Sequence, residues 1–270
     1  MDHAWTEQLI ELHRLVRLAV ITRSREGTCG TNAKGDVVKV FDLVANDAAL
    51  KYLQTSAVPL LVESEESEPQ TVGTGTPAHR LILDPVDGSD NWSRRLPLSA
   101  LSCAVLPIDA PLKPESVIAS IVGPLDQEVP LVAQQRSGAW SDMIRLQTSD
   151  VHCLTDAVIS IELNHYAPAM NLARMMADAR GIRCYGSAAC AITFVASGIT
   201  DAHIDIRSRL TPESYLAAAC LLLEAGGCIT GLDGASLPAA SGLTDGISLI
   251  AAANQALCDE IVERLGNDGG

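Results

Sequence analysis

Two periodicities alternate along this chain. Trp5, Leu9, Leu12, Leu15, Val16, Ala19 and Val20 recur at helical spacing and predict an amphipathic first helix to about Arg23. Residues 24–35 turn polar and carry three glycines, which predicts a mobile loop. A second helix is expected from near Phe41 to about Thr55, then a strand over residues 58–63. Leu81-Ile82-Leu83 reads as a short buried strand that Pro85 and Gly88 stop. Residues 100–108, 116–122 and 129–134 read as antiparallel strands joined by Pro- and Gly-bearing turns. Val158–Glu162 opens the second half, followed by a helix over 170–179 and a core-like helix through residues 188–196. Thr211 is placed as an N-cap with Pro212 at the first helical position. An apolar run, Ile247–Ala252, precedes a last amphipathic helix to Leu265, and Asn267 onward is expected to fray.

With 270 residues, 47% apolar and 19% charged, the chain has material for one large domain or two small, intimately packed ones. No run of 18 apolar residues occurs and the start is polar, which argues against a membrane span or secretory signal. The eight cysteines form no C-x-x-C and mostly sit in apolar segments. They read as small buried hydrophobes in a reducing cytoplasm, not as a disulfide frame or zinc site. A net charge of −14 argues against DNA or RNA as partner. A small phosphate ester stays compatible with it, because bound divalent cations invert the local sign.

The chemistry concentrates in Leu81–Trp92, where an apolar run meets Asp84-Pro85-Val86-Asp87-Gly88-Ser89-Asp90-Asn91-Trp92. Pro85 holds Asp84 extended, so Asp84 and Asp87 can turn toward one point across a tight bend. With the Val86 carbonyl they form an all-oxygen cluster of the kind Mg²⁺ prefers. Beyond Gly88, the N–H groups of Ser89 and Asp90 are free to face an anion. The same residues also compose an ordinary turn after a strand, and spacing alone leaves both readings open.

Asp84 to Trp92, followed by Arg94-Arg95-Leu96-Pro97, resembles the D-P-[IVL]-D-G-[ST]-x-N-[FW] signature of the inositol monophosphatase and fructose-1,6-bisphosphatase superfamily. Further matches fall in order over about residues 34 to 254. They include Gly35-Asp36-Val37-Val38 leading to Asp42 and Ala45-Asn46, where the last pair leans toward the fructose-bisphosphatase branch. Ser64-Glu65-Glu66-Ser67, Ser137-Gly138-Ala139-Trp140, Arg183-Cys184-Tyr185-Gly186-Ser187-Ala188-Ala189 and Glu224-Ala225-Gly226-Gly227 complete the set.

The resemblance implies a layered αβαβα sandwich, α/β (α+β) in class. A mostly antiparallel N-terminal half (1–145) would carry the metal site, and an α/β half (146–270) would complete the substrate site in one compact unit. It implies Mg²⁺, or Mn²⁺, held by Glu65, Asp84, the Val86 carbonyl and Asp87, with Glu65 also polarising the attacking water. Ser89 shares that polarising role, and Asp42 orients the water; read without the resemblance, Asp42 is a carboxylate at a helix N-terminus. Gly88, Ser89 and Asp90 would hold phosphate, while Gly186, Ser187, Ala188 and Asp205 would face the polar body of the substrate. His203 reads as a strand surface residue. One departure stands out, since relatives carry an acidic ligand for a second metal where this chain has Ser214. Glu213 is one residue off register, a rotation of about 100° on a helix, and whether it takes over stays open.

The expected reaction is metal-dependent hydrolysis of a small phosphorylated polyol or sugar in the cytoplasm. The expected enzyme is a homodimer and a candidate for lithium sensitivity. The alternatives are a nucleotide or bisphosphate phosphatase of the same superfamily, and a non-catalytic phosphate-binding relative with a degraded second metal site.

Overall fold

A computed structural model describes residues 4–31 and 37–266 of the chain. In chain order the first half runs α1 (Ala4–Ile21), β1 (Thr28–Thr31), β2 (Val37–Lys39), α2 (Val40–Leu53), β3 (Leu60–Ser64), β4 (Ser67–Val72), β5 (His79–Asp87), α3 (Ser89–Ser93), β6 (Ala100–Pro107), β7 (Ala119–Pro124), β8 (Leu131–Gln134), β9 (Gly138–Ser141) and β10 (Ile144–Arg145). The second half continues β11 (Val158–Glu162), α4 (Met170–Asp178), β12 (Gly181–Arg183), α5 (Ala188–Ala196), β13 (Ala202–Leu210), α6 (Pro212–Glu224), β14 (Cys228–Thr230), β15 (Ile247–Ala252) and α7 (Gln255–Gly266).

Strands β3 to β10 form an eight-stranded sheet in the order β10-β9-β8-β7-β6-β5-β3-β4, antiparallel except where β3 runs parallel to β5. Strands β11 to β15 form a five-stranded sheet, order β12-β11-β13-β15-β14, in which β11 is parallel to both of its neighbours. Alternation along β5 shows how the layers are built. Leu81 and Leu83 point into a core shared with Leu9, Leu12 and Val16 of α1 and Phe41 and Leu53 of α2. Ile82 points the opposite way, into a core built from α5, α6 and the inner face of the small sheet, including Ile192, Leu216, Leu221 and Leu249. The outer face of the small sheet buries Ile159, Ile161 and Ile204 against Leu172 and Met175 of α4 and Leu257 and Ile261 of α7. The layers are therefore α1/α2, large sheet, α5/α6, small sheet, α4/α7, as the αβαβα expectation requires. The central pair α5/α6 is apolar on every side because both its faces are covered.

Several expectations are corrected. β5 does not stop at Leu83 but passes through Pro85 to Asp87. The register against β6 shifts between Asp84↔Ser102 and Asp87↔Ala100, so Pro85 sits in an irregular stretch where its missing N–H leaves the ladder intact. Residues 28–31 of the expected mobile loop pair as a strand with residues 37–39; the rest of that loop at 32–36, and the fraying expected from 267 onward, lie outside the described residues. Strands β4, β10, β12 and β14 were not expected, being short or polar. The cysteines divide more evenly than their apolar neighbours suggest: all eight are free, with Cys103, Cys190, Cys220 and Cys258 buried and Cys29 and Cys184 exposed. No helix among the described residues is long and apolar enough to cross a membrane.

Candidate active site

The end of β5 is shaped by backbone constraints before any side chain acts. Asp84 is buried and its Oδ1 accepts the Val86 N–H at 3.0 Å, which closes the bend around Pro85. Gly88 then takes φ +83°, and a Cβ there would stand 2.7 Å from the Leu98 carbonyl oxygen, so only glycine fits. This left-handed step starts α3. It brings Ser89 Oγ to 2.8 Å from Asp42 Oδ1 and 3.0 Å from the Val86 carbonyl oxygen; the single hydroxyl proton serves one acceptor at a time.

Asp42 arrives from α2. Its Oδ2 accepts the Lys39 N–H at 3.0 Å, so it caps the helix, while its other oxygen meets Ser89. Of the two roles left open by the sequence, the geometry shows the helix cap, and the second oxygen of Asp42 is engaged by Ser89. Burial pushes the Asp42 carboxyl up to about 6, and the nearby charge of Glu65 adds to this against the hydrogen bonds from Ser89 and Lys39. One turn along α2, Asn46 Oδ1 accepts the Ser64 hydroxyl at 2.9 Å. That buried pair ties α2 to the end of β3 and fixes where Glu65 and Glu66 emerge, a positioning role the sequence reading did not assign. Glu65 and Glu66 form the turn between β3 and β4 and line a cavity of about 490 Å³ with Thr31 and Val38 of the β1–β2 ribbon.

The second half reaches the same place through α5. Ser187 is its N-cap, accepting the Cys190 N–H at 3.2 Å, and Asp87 Oδ2 accepts both the Ser187 hydroxyl and the Ala189 N–H, the latter at 3.0 Å. Asn91 adds a second bridge, donating to the carbonyls of Leu98 at 2.8 Å and Tyr185 at 2.6 Å. Gly186, Ser187 and Ala188 are thereby held against Asp87 and Asn91. Asp90, by contrast, points its side chain out to solvent and pairs with Lys39.

Helix α6 settles which side chain faces the acidic turn. Ser214 Oγ lies 3.4 Å from Asp84 Oδ2, whereas Glu213 is buried with Oε1 accepting the Thr211 hydroxyl. The rotation expected for an off-register residue is what separates them.

Asp205 is fully buried, and Arg207 takes both its oxygens, Nε to Oδ1 at 3.0 Å and Nη2 to Oδ2 at 2.7 Å. Glu162 Oε1 stands 3.8 Å from Arg207 Nη1. The surface that Asp205 was expected to offer is therefore the guanidinium covering it. Glu162 and Arg207 were missed, although Asp205-Ile206-Arg207 puts two opposite charges on one face of a strand, a legible signal. His203 is corrected outright. It is buried, its Nδ1 is 2.9 Å from Ser160 Oγ, and burial holds its imidazole down to about 4. Its side faces the covered layer, because the small sheet is sandwiched and has no open face.

Among the described residues no group of three or more His, Cys, Asp or Glu side chains is gathered into ready metal-ligand geometry. The donors around the end of β5 are nonetheless all oxygen, carboxylates plus the Val86 carbonyl, and in kind they fit a hard divalent cation.

A five-layer αβαβα sandwich with such an acidic turn at the end of a central strand defines the class, a phosphatase of the layered-sandwich type. The sequence model described as the inositol monophosphatase family matches residues 4–267, and the chain belongs to that family. A fructose-1,6-bisphosphatase/inositol-1-monophosphatase from Thermococcus kodakarensis is 28% identical over 272 residues, covering 98% of each chain. One of the same name from Archaeoglobus fulgidus is 31% identical over 218 residues, 80% of this chain and 78% of its own. The solved structure of extragenic suppressor protein suhB from Bartonella henselae superposes with a TM-score of 0.80 at 23% identity, covering 98% of this chain and all of that one.

Proposed function

We propose that the protein hydrolyses a small phosphorylated polyol or sugar in a reaction that depends on Mg²⁺ or Mn²⁺. The observation that carries this reading is Ser89 Oγ standing between Asp42 and the Val86 carbonyl, inside the acidic turn of Asp84 and Asp87. Glu65, Asp84, the Val86 carbonyl and Asp87 are the residues that would hold the cation. When bound, it neutralises phosphoryl charge and makes water acidic enough to attack at neutral pH.

The chain's own groups do the rest. A water beside Ser89, oriented by Glu65, gives its proton to Ser89 Oγ as the Ser89 proton passes to Asp42 Oδ1. Burial raises the Asp42 carboxyl above its ordinary value, which favours its accepting that proton and returning it. The new bond forms between water oxygen and phosphorus as the ester P–O bond breaks, the leaving oxygen takes up a proton from solvent, and the N–H groups of Gly88, Ser89 and Asp90 meet the developing charge. Gly186, Ser187 and Ala188 position the body of the substrate. Glu162 and Asp205 set two carboxylates against the one guanidinium of Arg207, and this balance favours hydroxyl groups over a second phosphate. Li⁺ sensitivity, a homodimer and a cytoplasmic location belong to the same proposal.

Release of inorganic phosphate from a panel of inositol, sugar and nucleotide phosphates tests it, with Mg²⁺, Mn²⁺ or chelator. We expect turnover on polyol or sugar monophosphates that chelation abolishes. Full turnover without metal would sink the mechanism, and an inert wild type restored by Ser214→Asp would favour a non-catalytic relative.

A further inference from the structure

The far end of α3 carries a second concentration of charge, opposite in sign to the first. A cavity of about 510 Å³ opens between the end of α1 and the turn after α3, lined by Arg23, Arg25, Arg95, Trp92 and Asp126 among others. Three arginines meeting in one hollow is unexpected in a chain of net charge −14. None of the three forms an ion pair with another described residue, whereas Arg207, Arg264, Arg80 and Arg14 all do. Only two exposed carboxylates, Glu26 and Asp126, sit on the lining.

Two of the arginines are held in place. The Arg25 guanidinium stacks over the Trp92 ring at 3.7 Å from its centroid and donates to the Trp92 carbonyl at 3.2 Å. Arg95 is fixed by its backbone. It stands at φ +65°, donating its N–H to the same carbonyl at 3.1 Å, in a left-handed turn that a glycine would occupy without strain. Holding a non-glycine residue in that conformation costs conformational energy. Burial and then the charge of Arg95 hold the Arg25 guanidinium below its usual value, against the smaller pull of Asp126, so the two cations lie close enough to repel. The indole N–H of Trp92 is buried and has no acceptor among the described residues.

We propose that this cavity is a binding site for a phosphate-type dianion, separate from the acidic turn. Paired guanidiniums match the oxygens of such an anion in bidentate fashion, and a bound anion relieves the repulsion between them. The ring of Trp92 is already covered by Arg25, so a compact oxyanion fits better than an aromatic ligand. Free phosphate and the phosphoryl group of a small ester share this chemistry.

Calorimetric titration of the full chain with inorganic phosphate and, separately, methylphosphonate tests it in chelator-containing buffer at constant ionic strength. We expect saturable binding that weakens at least about tenfold in Arg95→Gly and in Arg25→Gln, and is lost in the double variant. Arg95→Gly removes the charge while relieving the backbone, so it keeps the test alive if Arg25→Gln unfolds. Arg94→Gln, just outside the cavity, and Ser89→Ala, in the acidic turn, are expected to bind as wild type does. A preference between the two probes identifies free phosphate or a phosphoryl ester as the ligand type. No saturable heat up to about 20 mM, wild-type affinity in a folded double variant, or loss of binding in Ser89→Ala instead would each overturn the proposal.

Discussion

The two buried acidic neighbourhoods of this protein treat their charge in opposite ways. In the small sheet, Asp205 and Glu162 are compensated internally by Arg207, through a two-pronged contact at 3.0 and 2.7 Å and a looser one at 3.8 Å. At the end of β5, the contacts made by described residues include hydroxyls and amides: Ser89 and Lys39 N–H for Asp42, Ser187 and Ala189 N–H for Asp87, Val86 N–H and Ser214 for Asp84. Neutral donors orient a carboxylate without cancelling its charge. A salt bridge cancels it. The first arrangement builds a rigid wall, and the second sets the direction of each carboxylate at the end of β5.

The comparison breaks most visibly if Asp87 is only a bridge. Asp87→Asn keeps an oxygen for the Ala189 N–H, so fold and melting temperature should hold while turnover falls at least about a hundredfold. A folded Asp87→Asn enzyme with near wild-type rate at saturating Mg²⁺ would make Asp87 a structural residue alone. For the small sheet the expected loss is stability. Arg207→Gln strands Asp205 in the interior and should cost about 3 kcal/mol in chemical denaturation. The double variant Asp205→Asn, Arg207→Gln should recover much of that, and if it does not, the pair is not a coupled unit.

Ser214 sharpens the contrast from the other side. Ser214→Asp adds a charged oxygen where a hydroxyl now faces Asp84, and the Mg²⁺ needed for half-maximal rate should fall by about tenfold. Glu213→Gln should leave that requirement nearly unchanged, since its carboxylate is engaged with Thr211. The reverse ranking in a rate-against-Mg²⁺ titration would assign the ligand to Glu213.

The smallest effect concerns His203. Its imidazole is held down to about 4 when folded, against an ordinary value near 6.5. Its neutral form therefore contributes stability that is fully present above pH 6.5 and is lost as pH falls toward 4, because the unfolded chain binds the proton first. Between pH 7 and 5.5 this amounts to about 1 kcal/mol. Denaturation curves of wild type and His203→Gln should differ in slope over that window; parallel curves would show that His203 is not the group responsible.

What could be read in advance follows from where information sits in a chain. The acidic turn was legible because Pro85, Gly88 and two aspartates impose local geometry that few backbones satisfy. Helices α1, α2 and α6 were legible because their apolar spacing and caps are local too. The burial of His203 and the capture of Asp205 by Arg207 depend on which sheet face is covered, and that is decided by α5 and α6, far away in sequence. The missed strands are short or polar and gain their pairing only from neighbours already in place. Ser214 facing Asp84 was foreseen as a substitution, but its contact across 130 residues needed coordinates.

That separation has a consequence for how the protein comes into being. Asp87 finds Ser187 and Ala189 across 100 and 102 residues, and Asp84 finds Ser214 across 130. Contacts of such high order close late, after loop-closure entropy has been overcome by the rest of the sandwich. During synthesis the large sheet emerges first, with its aspartates in place but the α5 and α6 partners still unmade. The centre is thus assembled only when both ends of the polypeptide have found their layers. A truncated or misassembled chain carries the signature sequence without a working site, and the chemistry itself reports that folding has finished.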